Sequence, residues 1–255
     1  SNKFNVSTAS AIVAACAGAK VAKHGNRGAT STSGSADVLE AAGVSLTLEA
    51  SQVARVIEQV GVGFMFAPAH HSAMKYVITA RKEIGVRTIF NLLGPLTNPA
   101  SSPNQIIGVF DPIWIPTLLE VLRELGSNHV MIVSSDDGLD EISIAAETQV
   151  GELKAGEITT YSISPGDFGI EQYPDCNGLQ INNAEESLIM LKQALANENR
   201  AAAEIVALNA GAAIYVANLC EDLLAGVAKA KEVLESGLAQ EKFDQLIQFT
   251  QLTDG

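Results

Sequence analysis

Short and long apolar segments alternate along this chain, and the alternation limits the folds that it can adopt. The short runs AKVAKH, VGFMFAP and NQIIGVF have the length of buried strands, and each is followed by a longer segment with helical periodicity. Strands that alternate with helices pair mostly in parallel, because each helix carries the chain back across the sheet. The sequence therefore predicts an α/β fold with a mostly parallel central sheet flanked by helices.

The predicted elements fill most of the 255 residues, without an internal repeat or a long linker. An i, i+3, i+4, i+7 pattern of apolar residues at Ala9, Ile12, Val13 and Cys16 predicts an amphipathic first helix, with Ser7 or Thr8 as its cap. Further helices are predicted at 35–43 (with an Asp37-x-x-Glu40 cap), 48–61, 71–85, 87–99, 115–126, 184–196, 200–219 and 223–237. Strands are predicted at 19–24, 62–68, 104–110 and 128–135, with a hairpin at 148–164. We expect a single α/β domain over residues 1–255.

Composition narrows the function classes. The chain has 29 acidic and 16 basic residues, a formal charge of −13. This balance argues against nucleic acids and membranes as partners, because both present phosphate groups that require a broad basic surface. The three cysteines, Cys16, Cys176 and Cys220, are too few and too widely spaced for a disulfide framework, which favours a reducing, cytoplasmic location.

Against this acidic background, one stretch collects cations. Lys20, Lys23, His24 and Arg27 lie in KVAKHGNRGATSTSGSAD, which continues with small hydroxyl residues and glycines. Lys23 offers a mobile charge for a phosphate group, and Gly25 permits a ligand to approach the backbone. A loop of this kind can surround a doubly phosphorylated ligand with backbone and hydroxyl donors. The alternative is a solvated turn with scattered lysines.

Three other stretches fall at predicted element junctions, where ligands collect in α/β sheets. Asn5-Val6-Ser7-Thr8 opens a helix, whose N-terminus attracts anions, although Ser and Thr there are also ordinary caps. SSDDGLDEIS supplies carboxylates that suit Mg²⁺, provided that a turn at Gly138 brings Asp140 and Glu141 to one site; otherwise the loop is merely solvated. FAPAHHSAMKYVITAR places two histidines before a helix that carries Arg81.

Together and in this order, these motifs resemble the anthranilate phosphoribosyltransferase family. The resemblance covers nearly the whole chain, through NVSTASAIVAACAG, KVAKHGNRGATSTSGSADVLEAAG, FMFAPAHHSAMK, VRTIFNLLGPLTNP, GLDEIS and DFGI. It implies an α/β domain like those of nucleoside phosphorylases, homodimers, and transfer of a phosphoribosyl group from 5-phosphoribosyl 1-diphosphate to anthranilate, with Mg²⁺, in tryptophan biosynthesis.

The resemblance also implies a set of site residues. The Mg²⁺ ligands would be Ser7, Asp140 and Glu141, and the catalytic residues would be Lys23, Asn26 and Arg81. Anthranilate would contact Asn26, Pro68, His71, Met74 and Arg81, with Arg81 gripping its carboxylate. The phosphoribosyl diphosphate would contact Asn5, Val6, Ser7, Thr8, Lys23, His24, Gly25, Asn26, Arg27, Gly28, Ala29, Thr30, Ser31 and Ser35. No residue is assigned as a general base.

One departure from the family pattern lowers the expected activity. Family members carry a helical segment and a glycine-rich GTGGDG turn ahead of the N-[IV]-S-T motif, whereas this chain begins at Ser1-Asn2. We expect a truncated chain that lacks most of the small helical domain and has weak or no activity. The rival interpretations are a non-catalytic ligand-binding fragment or paralogue and, less favoured, a pyrimidine nucleoside phosphorylase.

Overall fold

The structure, a computed structural model, describes residues 2–28, 32–70, 94 and 96–253. The predicted helix at 71–85 and most of the segment 87–99 lie outside the described residues.

Among the described residues, the first sheet consists of two parallel strands with two helices between them in sequence. Strand β1, Val21–Gly25, pairs with β2, Val62–Phe66. Between them lie α2, Ser35–Ala41, and α3, Ala50–Val60. Val53, Val56 and Val60 form the buried face of α3, and Gly61 ends this helix in the left-handed conformation at φ +97°.

Strand β2 ends two residues earlier than predicted, because Pro68 enters a short helix, α4, Ala67–His70. Proline has no N–H to donate to a strand ladder, but the first turn of a helix tolerates it.

In the described part of the chain, the second sheet has four strands, in the order β3, β4, β5, β6. These are Asn104–Gly108, His129–Ser135, Thr148–Lys154 and Glu157–Ile163, and α5, Ile115–Glu124, connects the first two. Strands β3 and β4 are parallel, whereas β4–β5 and β5–β6 are antiparallel. The predicted hairpin is confirmed: its two-residue loop, Ala155-Gly156, has positive φ at both positions, as a tight hairpin turn requires.

Four helices follow: α6, Ala184–Leu195; α7, Arg200–Val216; α8, Leu223–Glu235; and α9, Leu238–Thr253. Asparagine or aspartate side chains cap three of them, as Asn183, Asn199 and Asp222 each accept a backbone N–H from the first turn. Helices α7 and α8 cross closely at Gly211 and Gly226, where a Cβ on either residue would meet the backbone of the other helix.

Helix α1, Val6–Cys16, lies inside the fold and packs on α7. The predicted amphipathic pattern is wrong, because Thr8 and Ser10 are buried together with the apolar residues. Ser10 satisfies its hydroxyl by donating to the carbonyl of Val206 in α7, 3.4 Å away. The caps predicted at Ser7 or Thr8 are also wrong, since the helix begins at Val6 and Asn5 holds the N-cap position.

The α/β class with flanking helices is confirmed, and the strand pairing is mixed. Strand β4 is buried along its whole length, as expected of a strand covered on both faces. One large apolar cluster joins residues of both sheets to α1 and α7, and a smaller one packs α5 on β3, β4 and β5. Within the described ranges, no helix has both the length and the apolar character needed to span a membrane.

Candidate active site

Three segments that are far apart in sequence meet around one lysine. Lys23 extends from β1, and its ammonium donates a hydrogen bond to the Ser7 hydroxyl in the first turn of α1, at 2.8 Å. Glu141 follows β4, and both the Lys23 ammonium and the backbone N–H of Ser7 lie close enough to its carboxylate to lower its pKa. The helix start, the lysine strand and the acidic turn, predicted from separate motifs, therefore converge.

The charges at this junction influence one another. Burial lowers the pKa of the Lys23 ammonium to about 8, and Glu141 acts in the opposite direction. Burial and the adjacent Asp140 carboxylate raise the pKa of Glu141 to about 8, against the opposing effects of Lys23 and the Ser7 N–H. Desolvation thus disfavours the charged forms of both groups, and a ligand that supplies compensating charge is favoured here.

The start of α1 is anchored from both sides. Ahead of it, the N–H of Phe4 donates to the carbonyl of Leu179 at 3.0 Å. The N–H of Asn5 donates to the hydroxyl of Ser187, a fully buried residue of α6, at 3.1 Å. The Thr8 hydroxyl donates to the side-chain oxygen of Asn5 and is itself buried. Within the Asn5–Thr8 motif, Ser7 is therefore the hydroxyl residue that faces Lys23.

Gly25 is required by a neighbour within the protein. A Cβ at this position would lie 2.1 Å from the Ser35 hydroxyl and 2.8 Å from the ring of Phe64. The close approach that the sequence assigned to a ligand is thus made by Ser35, at the start of α2. Asn26 is held at the same place, because its carbonyl accepts from the N–H of Ala36 at 3.2 Å and from Ser35 at 3.4 Å.

Asp37 closes the loop that follows. One of its carboxylate oxygens accepts the N–H groups of both Gly28 and Gly34, at 2.9 and 2.8 Å. The predicted Asp37-x-x-Glu40 cap is wrong, because α2 begins at Ser35 and places Asp37 in the third helical position, from which it reaches back to Gly34. Ala29, Thr30 and Ser31 lie outside the described residues.

The cationic residues that lie close together in the sequence point to different parts of the structure. Arg27 donates to both carboxylate oxygens of Glu40, at 2.5 and 2.8 Å, and to Asp37 at 3.3 Å. These contacts raise the pKa of Arg27 above its usual value. Lys20 donates to the carbonyls of Ile57 and Glu58 at the end of α3. Of these three long cationic side chains, Lys23 is the one at the junction with Ser7 and Glu141, and His24 lies beside it on β1.

The acidic turn is tightly organised. Gly138 adopts φ +82°, as the predicted turn required, and its N–H donates to the carbonyl of Ser135 at 2.9 Å. The Ser135 hydroxyl donates to the carbonyl of Glu141 at 2.5 Å. Asp140 packs against β3 so closely that a Cβ on Gly108 would lie 1.6 Å from its carbonyl oxygen. The backbone of β3 at Gly108 therefore limits how closely the Asp140 backbone can approach the sheet.

Oxygen donors predominate at this junction, which fits a hard divalent cation. Asp140 and Glu141 supply carboxylates and Ser7 supplies a hydroxyl, the ligand types that Mg²⁺ prefers. Within the described part of the chain, no cluster of three or more His, Cys, Asp or Glu residues is placed to hold a metal. A cation here would therefore depend on two carboxylates and a hydroxyl, completed by oxygens of a ligand.

The residues predicted for the second substrate are only partly described. Asn26 lies at the end of β1, and Pro68 lies in α4, directly after the parallel strand β2. His71, Met74 and Arg81 lie outside the described residues.

Several residues that shape the site were not singled out from the sequence for this role: Ser135, Ser187, Gly108, Asp37 and Asn209. Asn209 had a local signal, as one amide among the apolar residues of ALNAGAA. The partners of Ser187 and Gly108, Asn5 and Asp140, are too distant in sequence for a local pattern to reveal them, whereas Asp37 and Ser135 bond to residues nearby in the sequence.

Comparison with known proteins gives consistent matches. The family model described as glycosyl transferase family, a/b domain, matches residues 1–240. Anthranilate phosphoribosyltransferases of Hydrogenovibrio crunogenus and Teredinibacter turnerae are each 57% identical over 98% of this chain, which spans 73% and 74% of their lengths. The Thermus thermophilus enzyme of that name has a structure with TM-score 0.91 at 41% identity, matching 98% of this chain and 74% of its own.

A second structure, that of anthranilate phosphoribosyltransferase from Saccharomyces cerevisiae in complex with PRPP and Mg, has TM-score 0.87 at 29% identity. The match covers 98% of this chain and 70% of the yeast chain.

Proposed function

The chain belongs to the anthranilate phosphoribosyltransferase family, and we propose that its site transfers the phosphoribosyl group of 5-phosphoribosyl 1-diphosphate to the amino group of anthranilate. The products are N-(5-phosphoribosyl)anthranilate and diphosphate, in tryptophan biosynthesis. The observation that carries the proposal is the convergence of Ser7, Lys23 and Glu141 at one junction. A cation, a helix start and a carboxylate pair are the groups that a diphosphate leaving group requires.

The reaction breaks the bond between the anomeric carbon and the diphosphate oxygen while the anthranilate amine bonds to that carbon. The electron pair of the broken bond leaves with the diphosphate, and the nitrogen then loses one proton to solvent. Like other glycosyl transfers, it should pass through an oxocarbenium-like state in which negative charge grows on the leaving group. Lys23 lies where it can offset that charge, and its partial burial strengthens the interaction by excluding water. The first turn of α1 adds about half a positive charge through its aligned peptide dipoles.

Mg²⁺ fits this site, with Ser7, Asp140 and Glu141 as the residues that would hold it. When bound, the ion neutralises charge on the diphosphate oxygens. The yeast relative, whose structure contains PRPP and Mg, supports this part of the proposal.

The nucleophile needs little help from the protein. An aromatic amine is already unprotonated at neutral pH, so the main requirement is alignment with the anomeric carbon. We assign that role to Asn26, with Pro68, His71, Met74 and Arg81 along the anthranilate side. The last three lie outside the described residues and stay predictions.

Further parts of the proposal concern the whole molecule. A single domain over residues 1–255 is proposed because the sequence has no long linker, and a homodimer is proposed from the family resemblance. A cytoplasmic location is the third of these proposals. The absence of disulfides among Cys16, Cys176 and Cys220 supports the location. Light scattering on the purified protein would test the homodimer.

The experiment compares two lysines that are three positions apart. Lys23→Met should lower kcat/KM for phosphoribosyl diphosphate about 100- to 1000-fold, as removal of one charge-stabilising donor does in other enzymes. Lys20→Met should leave kcat/KM unchanged, because Lys20 bonds to the end of α3. Turnover is followed by loss of anthranilate fluorescence and by mass analysis of the product.

Three results would contradict the proposal. If Lys23→Met and Lys20→Met changed kcat/KM by the same factor, Lys23 would have no specific role in the reaction. Calorimetric binding of phosphoribosyl diphosphate without product from the wild-type protein would favour a non-catalytic ligand-binding protein. Phosphorolysis of uridine or thymidine would favour a pyrimidine nucleoside phosphorylase.

A further inference from the structure

Asn209, on α7, has a buried side-chain amide that hydrogen-bonds to the backbone next to Asp140 and Glu141. Asn209 is 5% exposed, and both polar atoms of its side chain are used. Its oxygen accepts the N–H of Ile142, and its nitrogen donates to the carbonyl of Ile142 and to that of Ile205 in its own helix, all at 2.9 Å. Asn209 thus bonds to both polar backbone atoms of one residue, as a neighbouring strand would.

The peptide between Glu141 and Ile142 is held at both ends. Its N–H donates to Asn209, and its carbonyl accepts from the hydroxyl of Ser135 at 2.5 Å. Ser135 is itself buried and shares a hydrogen bond with the Thr148 hydroxyl at 2.7 Å. Because the orientation of this peptide plane is fixed from two elements, the backbone of Glu141 has little freedom to rotate.

We infer that Asn209 is a positioning residue that orients the acidic pair, Asp140 and Glu141, toward the divalent cation and the diphosphate. The inference rests on the proposed function, in which these carboxylates hold Mg²⁺. Asn209 touches neither substrate nor cation and acts through the peptide that follows Glu141.

A purely structural role is the competing explanation, and the surroundings of Asn209 argue against it. Its neighbours on α7, Leu208 and Ala210, are buried and apolar, so an apolar residue at 209 would also suit the core. Asparagine is a poor helix former, and a buried amide is costly unless its hydrogen bonds are complete. Here two of the three bonds go to Ile142, so the amide is used mainly on the turn that carries Glu141 and only once on its own helix.

The test measures cation binding directly. Mn²⁺ binding is followed by electron paramagnetic resonance on the protein mixed with phosphoribosyl diphosphate, without anthranilate. For Asn209→Ala we expect the dissociation constant for Mn²⁺ to rise about 10- to 100-fold, as when other supporting residues of metal ligands are lost. The Mg²⁺ concentration that gives half-maximal turnover should rise in parallel.

The control is Ile214→Ala, which removes a fully buried apolar side chain five positions further along the same helix. Both variants are compared at temperatures equally far below their unfolding midpoints. The control should bind Mn²⁺ as the wild type does. If Asn209→Ala does not fold, Ser135→Ala replaces it, because that substitution releases the other end of the same peptide.

Wild-type Mn²⁺ affinity in the Asn209 or Ser135 variant would overturn the inference, and so would an equal loss of affinity in the Ile214 control. Failure of the wild-type protein to bind Mn²⁺ would overturn it as well. A wild-type protein that binds Mn²⁺ and phosphoribosyl diphosphate but forms no product would contradict the proposed reaction alone, so the two failures are distinguishable.

Discussion

Gly108 offers the sharpest test of how the acidic turn is positioned. This residue ends β3, and an added Cβ would lie 1.6 Å from the carbonyl oxygen of Asp140 and 2.6 Å from its carbonyl carbon. Real Cβ atoms stay at least 3.0 Å from such neighbours, so Gly108→Ala must separate the two backbones by at least about 1.4 Å. The cause is purely steric, since Gly108 is not among the glycines with positive φ.

A shift of this size should affect both activity and stability. A misplacement of about 1 Å in a catalytic group can cost about 100-fold in rate, equivalent to about 2.7 kcal/mol in the activation barrier. Overpacking itself should lower the free energy of unfolding by about 1–3 kcal/mol. We therefore expect kcat to fall about 100-fold at saturating substrates, with an increase in the Mg²⁺ concentration needed for half-maximal turnover.

Steady-state turnover and thermal unfolding are measured for Gly108→Ala beside Gly178→Ala. Gly178 is exposed, has no positive φ and has open space around its Cβ position, so alanine there should change neither quantity. Wild-type kcat and Mg²⁺ dependence in Gly108→Ala would refute the reasoning. That result would mean that β3 can yield without moving Asp140.

Two further substitutions test other contacts of the fold. Asp37→Asn should raise the KM for phosphoribosyl diphosphate several-fold, because the side chain that accepts from Gly28 and Gly34 loses its charge and its hydrogen bonds weaken. The control is Glu40→Gln, which alters only the exposed contact with Arg27. An equal KM in the two variants would contradict the loop-closing role of Asp37. Gly211→Ala should lower the free energy of unfolding by about 1–3 kcal/mol, because its Cβ would lie 2.6 Å from the backbone of Val227. Calorimetry measures this change, and an unchanged unfolding midpoint would show that α7 and α8 can separate at no cost.

Most elements could be predicted because each has a local cause. The hairpin of β5 and β6 follows from Ala155-Gly156, since glycine adopts positive φ readily. Helix α3 follows from the valine spacing at 53, 56 and 60. The acidic turn was also predictable, because Gly138 could reverse the chain directly after an apolar strand.

Features that depend on distant partners could not be read in this way. Lys20, Lys23 and Arg27 look equivalent in sequence, yet they bond to the end of α3, to Ser7 and to α2. The direction of each side chain depends on which element lies beside β1, and that is decided by the whole fold. The burial of Thr8 and Ser10 on α1 was missed for a related reason, because these side chains are small enough to enter a core when acceptors lie within reach.

The pairing of cations decides how this acidic protein can hold a polyanion. Arg27 is matched by Asp37 and Glu40, so its side chain adds little net charge to the junction. Among the described residues there, Lys23 lies beside Asp140 and Glu141, and these three side chains carry no net positive charge whether or not Glu141 is ionised. A diphosphate alone would therefore meet a site without a positive surplus, within a chain of net charge −13. A divalent cation reverses that local balance, and salt screens the remaining surface charge beyond about 10 Å. Cation and diphosphate should consequently strengthen each other's binding, by the same factor in both directions.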